Sequence, residues 1–290
     1  MRIGMMTDIY KPHVSGITNY ISLNKQYLEQ AGHEVFIFTF GDLDYPDEET
    51  NVILSPGLPL VDTGYYLNFR YSRKAKALLQ TMDLVHVNHP FLSGRLALRY
   101  CRPLHIPIVF TNHTRYDLYA QAYIPLLPEE ISASFLQAYM PPFCTAVDLV
   151  ISPSPGMADV LRTLGVTSLI EVVTNGVELA LYQQACEDCR QEFGFTQEDV
   201  LLVYSGRLGP EKSVDFLLRA FAGVAEAVED VHLLIIGGGP EEEALKKLAA
   251  ETSVADRVHF FGMVAYDRMP QYLAMCDLYV TASITEVHPL

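Results

Sequence analysis

Two cations lie in a glycine-containing turn between a strand-like and a helix-like segment. Arg207 and Lys212 belong to the stretch 205–212, which reads SGRLGPEK. The apolar run 200–204 before it predicts a strand, and 214–228 after it predicts an amphipathic helix. Such a turn presents unpaired backbone N–H groups that attract anions together with the helix dipole. Because two cations there oppose the dipole, they indicate an anionic ligand such as a phosphate or diphosphate.

The same two cations have a second interpretation, in which the protein itself neutralises them. Glu211 and Asp215 lie within a few positions of both. Exposed ion pairs of this kind contribute little to stability and need no ligand. The choice therefore depends on what the rest of the chain places at the same location.

Other polar or glycine-rich segments share this position directly after an apolar strand-like run. The carboxyl ends of parallel strands lie along one edge of a sheet, where the ligands of open α/β sheets bind. We therefore predict that these segments form one site in a cleft between two sheets. The segments are 8–16, 112–114, 207–212, 237–239, 262–263 and 283–286.

The elements that must position these residues follow an alternating strand–helix pattern. Most of the strand-like segments are nearly all apolar, as is typical of parallel strands covered on both faces. This predicts an α/β chain with two Rossmann-like, doubly wound domains at 1–180 and 181–290, the second incomplete, with a helix at 179–193. Strands are predicted at 2–6, 34–40, 83–88, 106–111, 148–152, 169–173, 200–204, 231–236, 257–261 and 278–282.

Composition excludes several classes of protein. The 290 residues have a formal net charge of −15, so we expect no nucleic-acid partner. There is no run of about 18 uncharged apolar residues that would predict a membrane span. The absence of a signal-peptide pattern and an odd number of cysteines without framework spacing predict a cytoplasmic protein.

One local cluster of cations departs from this acidic background. Arg70, Arg73, Lys74 and Lys76 lie on a predicted helix that continues to Leu79. The cluster is either a solvated helix face or a docking surface for anionic lipid. The second interpretation predicts peripheral attachment to the inner face of the plasma membrane.

Taken together, these motifs resemble the retaining glycosyltransferases of family 4. That family uses nucleotide sugars, and its two Rossmann-like domains face a cleft, the GT-B fold. The resemblance runs from Met1 to Leu290 and depends on several short motifs in a fixed order. The motifs are PHVSG at 12–16, TNHT at 111–114, NGV at 175–177, GRL at 206–208 with EK at 211–212, GGGP at 237–240 and the segment 283–289.

The resemblance implies a diphosphate clamp and a sugar site. Residues matching Gly16 approach the donor diphosphate through their backbone, and a side chain would block that approach. Matches to Arg207 and Lys212 neutralise the diphosphate, which is also the leaving group. The match to Glu286 holds hydroxyls of the donor sugar. The substrate-binding set predicted in this way is Ser15, Gly16, Gly206, Gly238, Gly262, Met263 and Glu286.

The resemblance also implies a role for one histidine. The residue matching His113 lies beside the reacting sugar and orients donor and acceptor, so His113, Arg207 and Lys212 are the predicted catalytic residues. Gly262 and Met263 match residues that border the nucleobase.

The C-terminus departs from the family pattern. Similar enzymes carry a second glutamate, eight positions after the match to Glu286, that holds the ribose. Here that position would fall beyond Leu290. We therefore expect a C-terminally truncated enzyme that binds its donor poorly or does not turn over.

Neither a metal nor a cofactor is expected, the nucleotide sugar being a co-substrate. Asp42 and Asp44 have the spacing by which another glycosyltransferase fold holds a divalent cation, but they lie in an acidic loop away from the other motifs. Cys186 and Cys189 have redox or zinc-like spacing without a second pair nearby, which favours a helix surface.

The predicted function is transfer of a hexose from a UDP-glucose-like donor to an acceptor hydroxyl with retention and without metal. Tyrosines 116, 119 and 123 and the apolar helix to Met140 resemble the acceptor region of bacterial diacylglycerol glucosyltransferases. A lipid such as diacylglycerol and a soluble acceptor both remain open. The alternatives are a nucleotide-sugar 2-epimerase and a non-catalytic nucleotide-sugar-binding module.

Overall fold

Parallel strands form the first half of the chain. The structure, a computed structural model, describes residues 1–13, 15–41, 49–59, 66–123, 128–183 and 190–288. The strands here are β1 (Arg2–Met6), β2 (Glu34–Phe40), β3 (Val52–Ser55), β4 (Leu58–Pro59), β5 (Tyr66–Leu67), β6 (Leu84–Val87), β7 (Ile108–Thr111), β8 (Leu149–Ser152) and β9 (Ile170–Val172). Seven of them form one parallel sheet in the order β3-β2-β1-β6-β7-β8-β9, while β4 and β5 pair as a short antiparallel hairpin.

Alternate side chains of the central strands point to opposite faces of this sheet, and both faces are buried. Ile3 and Met5 pack with Ile21 on one face. Met6 and Phe38 belong to a larger cluster on the other face. This two-sided burial explains why the strands are almost wholly apolar. The helices of this part are α1 (Gly16–Gln30), α2 (Arg73–Leu79), α3 (Leu92–Tyr100), α4 (Tyr116–Tyr123), α5 (Glu129–Ala146) and α6 (Pro155–Thr163).

A second parallel sheet follows in the C-terminal part. It has four strands in the order β12-β11-β10-β13. One face packs against two amphipathic helices and the other against a short helix and two phenylalanines. The elements are α7 (Leu179–Gln183), β10 (Val200–Ser205), α8 (Val214–Ala227), β11 (Val231–Ile236), α9 (Glu242–Ala250), β12 (Val258–Gly262), α10 (Met269–Ala274) and β13 (Leu278–Tyr279).

The chain divides into two compact units. Of the described residues, the first unit contains those within 1–121, 128–176 and 287–288, and the second contains 122–123 and those within 177–286. The sequence pattern predicts the division at residue 180. The two parallel sheets confirm the predicted α/β class. Among the helices that the structure describes, none is long and apolar enough to cross a bilayer.

The predicted helix at 179–193 is wrong at its C-terminal end, residues 190–193. Among the described residues of this range, Leu179–Gln183 is α-helical and 190–193 forms a 3-10 turn. The side chain of Arg190 explains the turn, since it is buried and donates to the carbonyl oxygens of Met275 and Asp199 and to the carboxylate of Asp277. The motifs at 42–44 and 186–189 lie outside the described residues.

Each sheet has a topological switch point, at which the strand order reverses direction. In the first sheet it lies between β1 and β6, and in the second between β10 and β13. Ligands of doubly wound sheets bind beyond the carboxyl ends of the strands at such points. The segments that follow these strands are therefore expected to contain the ligand-binding residues of each unit.

Candidate active site

Three loops meet at the carboxyl ends of β10, β11 and β12. Gly206 N–H donates to the carbonyl oxygen of Ile236 at 2.9 Å, and Leu208 N–H donates to that of Gly238 at 3.0 Å. Gly237 N–H in turn donates to the carbonyl oxygen of Gly262 at 2.8 Å. The turn after β10 was predicted to present unpaired N–H groups, and this is wrong for Gly206 and Leu208. Loops that leave adjacent parallel strands lie side by side, so their backbones bond to each other.

Glycine is required where these loops touch. A Cβ built on Gly237 would collide with the carbonyl oxygen of Gly206, and one on Gly239 would collide with that of Leu208. Gly237 also has a φ of 132°, a backbone conformation that other residues rarely adopt. The loops therefore approach as bare backbone.

Lys212 and Glu286 form an ion pair at the switch point of the second sheet. Their side chains come from the segments after β10 and β13, and Lys212 Nζ lies 2.5 Å from Glu286 Oε1. Thr285, which is buried, donates from Oγ1 to the carbonyl oxygen of Glu211 at 3.3 Å and so fastens the two segments together. Lys212 thus has an acidic partner, although it is neither Glu211 nor Asp215.

Arg207 begins the same turn and is partly exposed. Its carbonyl oxygen accepts a hydrogen bond from the hydroxyl of Tyr204 at 3.0 Å. The turn continues as a 3-10 segment over Pro210–Lys212 before α8 starts. The backbone on both sides of the two cations is therefore held in place. Met263 lies at the end of β12 with its side chain 64% exposed.

The first unit places a polar cluster at the ends of β1, β6 and β7. His86 Nε2 lies 2.7 Å from Thr111 Oγ1, and His113 Nε2 lies 3.1 Å from Asn88 Oδ1. The ring of Tyr20, from α1, meets His113 edge-on with 4.5 Å between centroids. The role of His86 in this cluster is therefore hydrogen bonding.

Two further side chains close this cluster. Asp8 accepts hydrogen bonds from the backbone N–H groups of Ser93 and Leu92, at 2.7 and 3.4 Å, and so caps α3. His89 Nδ1 lies 3.1 Å from Thr7 Oγ1. No group of three His, Cys, Asp or Glu side chains suited to a metal ion occurs within the described residues.

Ser15 and Gly16 begin α1 in the same unit. The hydroxyl of Ser15 accepts from Thr18 N–H, while the hydroxyl of Thr18 accepts from Ser15 N–H, which forms a capping box. A Cβ added to Gly16 would meet nothing within 4 Å. Any requirement for glycine at this position therefore comes from a ligand rather than from packing.

The predicted site residues thus divide between the two units. Those of the second unit lie around two meeting points, the three glycine loops and the Lys212–Glu286 pair. Sequence reasoning missed Asn88 and Tyr20, and it included Thr285 only as part of the segment 283–286. All three contact or support predicted residues. The position of Asn88 directly after a strand was the available signal. The predicted residues of the first unit are Ser15, Gly16 and His113, and those of the second are Gly206, Arg207, Lys212, Gly238, Gly262, Met263 and Glu286.

The three histidines of this cluster, His86, His89 and His113, are held neutral. Burial lowers the pKa of His86 to about 4. The pKa of His113 is lowered well below its usual value by burial and by His86 and His89, and burial also lowers the pKa of His89. At neutral pH these three imidazoles therefore offer hydrogen bonds without charge.

These pKa values predict acid sensitivity of the fold. Between about pH 6.5 and 4 the unfolded chain binds protons that the folded His86 does not, so stability is full above pH 6.5 and falls below it. For His86 we expect a loss of about 2–3 kcal/mol. Urea unfolding followed by circular dichroism at a series of pH values measures it. In His86→Gln the pH dependence should be shallower, and an equal slope would contradict this origin.

Two family models together match nearly the whole chain. The model described as Glycosyltransferase Family 4 matches residues 14–181, more than half of the chain. The chain belongs to glycosyltransferase family 4. The model described as Glycosyl transferases group 1 matches residues 187–290 of the same family 4 chain.

The family 4 chain is similar to enzymes of glycolipid synthesis. It is 32% identical over 301 residues to the alpha-monoglucosyldiacylglycerol synthase of Streptococcus pneumoniae, covering 100% of this chain and 68% of that protein. It is 26% identical over 310 residues to the enzyme of the same name from Acholeplasma laidlawii, covering 100% of this chain and 76% of that one. The family 4 chain is therefore a glycosyltransferase, as the sequence predicts.

Solved structures show the same fold. Sucrose-phosphate synthase from Thermosynechococcus elongatus matches with a TM-score of 0.78 at 20% identity, over 100% of this chain and 77% of that one. Anabaena HepE in complex with UDP-glucose matches with a TM-score of 0.73 at 21% identity, over 98% of this chain and 74% of that one. The family 4 chain thus has the predicted GT-B fold.

Proposed function

We propose that the family 4 chain transfers glucose from UDP-glucose to a hydroxyl of diacylglycerol at a membrane surface, with retention of anomeric configuration and without a metal. The observation that carries this proposal is the Lys212–Glu286 pair at the switch point of the second sheet, on the same turn that bonds through Gly206 and Leu208 to the glycine loop after β11. It brings together a cation for a diphosphate and a carboxylate for sugar hydroxyls. The names of the pneumococcal and Acholeplasma relatives support glucose and diacylglycerol, and the HepE complex supports the donor.

The two cations of the turn, Arg207 and Lys212, provide most of the electrostatic stabilisation of the leaving diphosphate. The bond between C1 of glucose and the diphosphate breaks as negative charge grows on the leaving oxygen. Lys212 and Arg207 lie on a backbone that is held in place before the donor arrives, so only their side chains turn to stabilise that charge. Two fixed cations also replace the charge that a magnesium ion would supply.

Glu286 binds the glucose part of the donor in the same site. As Lys212 moves onto a phosphate oxygen, the carboxylate of Glu286 becomes able to accept hydrogen bonds from glucose hydroxyls. The new bond forms between the acceptor oxygen and C1 on the face that the diphosphate leaves. The proton of the acceptor hydroxyl passes to the departing phosphate oxygen, so no side-chain nucleophile is needed.

An exposed aromatic ridge of the first unit supports an acceptor with apolar chains. Phe135 on α5 is 54% exposed and stacks on Tyr139 at 5.7 Å between centroids. Ile131, one helical turn earlier, is 56% exposed. Phe91 stacks on Phe135 at 6.2 Å and also packs against Tyr139 at 5.2 Å between centroids. A ridge of this kind offers apolar contact to acyl chains rather than to a sugar or peptide acceptor.

The cationic helix α2 supports a position on the anionic, cytoplasmic face of a membrane. Arg73, Lys74 and Lys76 are exposed, whereas Leu79 on the inner face is fully buried. Phe69 precedes the helix and is 68% exposed. Cations next to exposed apolar side chains are the usual composition of an interfacial membrane contact.

Neutralising this helix is expected to release the protein from anionic vesicles. Each cation near such a surface contributes about 1 kcal/mol, so the variant Arg73→Gln, Lys74→Gln, Lys76→Gln should bind about 100-fold more weakly. Co-sedimentation with vesicles of phosphatidylglycerol and phosphatidylcholine measures the change. Vesicles of phosphatidylcholine alone should bind wild type and variant equally weakly.

A variant with the same charge change elsewhere is the control. Arg162, Arg219 and Lys247 are also exposed, and replacing all three by glutamine should leave vesicle binding unchanged. Equal losses in the two triple variants would show that only net charge matters and would remove α2 from the proposal.

The proposed function is tested by a transfer assay. The whole chain is incubated with radiolabelled UDP-glucose and diacylglycerol in mixed micelles, with and without EDTA, and with GDP-mannose as the competing donor. The expected product is an α-glucosyl lipid, formed equally with EDTA and identified by proton NMR of the anomeric hydrogen. A β-anomer would overturn retention. Conversion of UDP-glucose without acceptor would identify a 2-epimerase, and binding without either reaction a binding module.

A further inference from the structure

Asn88 is a fully buried side chain in contact with His113. It follows β6 directly, at the switch point of the first sheet, and has an exposed fraction of 0%. Its Oδ1 lies 3.1 Å from Nε2 of His113, which follows the neighbouring strand β7. Nothing in the order of the motifs along the chain indicates this pairing. It follows from the adjacency of the two strands.

The orientation of the Asn88 amide is set by the backbone around it. Its Nδ2 faces two carbonyl oxygens, that of Met6 at 3.5 Å and that of His86 at 3.4 Å. Rotating the amide by half a turn would bring Oδ1 against both oxygens and remove both donors. The amide nitrogen therefore points to the backbone, and Oδ1 points to His113.

This orientation determines which nitrogen of His113 carries the proton. A carboxamide oxygen only accepts hydrogen bonds, so Nε2 must be the donor. In a neutral imidazole the other nitrogen, Nδ1, then carries a lone pair. The ring is neutral at pH 7, because its pKa is lowered by burial and by His86 and His89. The edge of Tyr20 limits rotation of the ring.

We propose that Asn88 is a positioning residue that holds His113 as the Nε2–H tautomer, so that Nδ1 accepts a hydrogen bond from a substrate hydroxyl. The identity of that hydroxyl as one on the sugar or the acceptor rests on the proposed function. The assignment of the Nε2–H tautomer does not rest on the proposed function. His113 in this form cannot donate a proton to a leaving group, which agrees with transfer of the acceptor proton to the departing phosphate.

The tautomer is measured directly on the whole chain without substrate. Two-bond ¹H–¹⁵N correlation spectra of the histidine rings distinguish the two neutral forms, and the His113→Gln spectrum identifies the signals of His113. The wild type should show the Nε2–H form. The Nδ1–H form in the wild type would overturn the proposal whether or not the chain transfers glucose, whereas missing transfer with the expected tautomer would fault only the proposed function.

Two variants of Asn88 separate positioning from packing. Asn88→Asp keeps an acceptor toward Nε2 and should keep the Nε2–H form, with a His113 pKa raised by the new charge. Asn88→Leu removes the acceptor and should give a mixture of tautomers. Its kcat should fall about 10- to 100-fold, with little change in KM for the donor. An unchanged tautomer in folded Asn88→Leu would overturn the proposal, and if that variant does not fold, the wild-type and Asn88→Asp spectra decide.

A double variant, which tests whether the two losses of activity add, is the final control. If Asn88 acts only through His113, the double variant Asn88→Leu, His113→Gln should lose no more activity than His113→Gln alone. Multiplied losses would assign Asn88 a separate role and reject the proposal.

Discussion

Lys212→Ala is expected to lower kcat/KM for UDP-glucose by about 10²–10³-fold and to weaken UDP binding. Two effects act in the same direction. The variant loses the cation nearest the switch point of the second sheet, and it leaves the carboxylate of Glu286, 2.5 Å away in the wild type, without this partner. That carboxylate then repels the diphosphate. Initial rates and calorimetric titration with UDP measure the two losses.

A double variant separates the two effects. Lys212→Ala with Glu286→Gln removes the repulsion as well as the cation, so it should regain part of the UDP affinity without regaining transfer. Lys246→Ala is the matched control, because Lys246 also bridges to carboxylates, those of Glu242 and Glu243 on α9. It should change neither quantity. Unchanged UDP affinity in Lys212→Ala would reject the clamp.

Gly237→Ala is expected to destabilise the second unit by about 3 kcal/mol and to abolish donor binding. The added methyl group would overlap the carbonyl oxygen of Gly206, and the φ of 132° is unfavourable for alanine. Relief requires separation of the loops after β10 and β11, which removes the surface on which a diphosphate would lie. Thermal unfolding and UDP titration measure the outcome.

A glycine in a helix provides the opposite control. Gly223 lies inside α8, and a Cβ there would meet nothing within 4 Å. Gly223→Ala should therefore raise stability by about 0.5–1 kcal/mol through helix propensity alone. Equal destabilisation by both substitutions would show that loop contact is not the cause.

The main strands could be predicted from the sequence because each is marked by its own apolar composition, which does not depend on distant residues. Parallel strands buried on both faces must be apolar at nearly every position, as 34–40 and 231–236 are. The edge strand Val52–Ser55 was missed, since it is short and is defined by its backbone pairing with β2. The helix predicted to extend to Phe193 is wrong at 190–193, where the backbone forms a 3-10 turn and Arg190 bonds to groups far along the chain.

The candidate site was predictable as a set of positions but not as a set of contacts. Strand ends can be read from apolar runs, and every predicted segment follows one. Which ends are neighbours depends on strand order, which chain order does not reveal. Lys212 and Glu286, 74 positions apart, meet because β13 pairs with β10. Asn88 and His113 meet because β6 pairs with β7.

The glycine contacts between the loops also bear on how such enzymes diverge. Gly237 and Gly239 accept no side chain without moving a neighbouring backbone, so this part of the surface has little freedom to mutate. Met263 is 64% exposed at the end of β12, where a change of side chain leaves the loop contacts intact. Under the proposed function, a new base or sugar preference would evolve through positions such as Met263, while the backbone that holds the diphosphate stays the same.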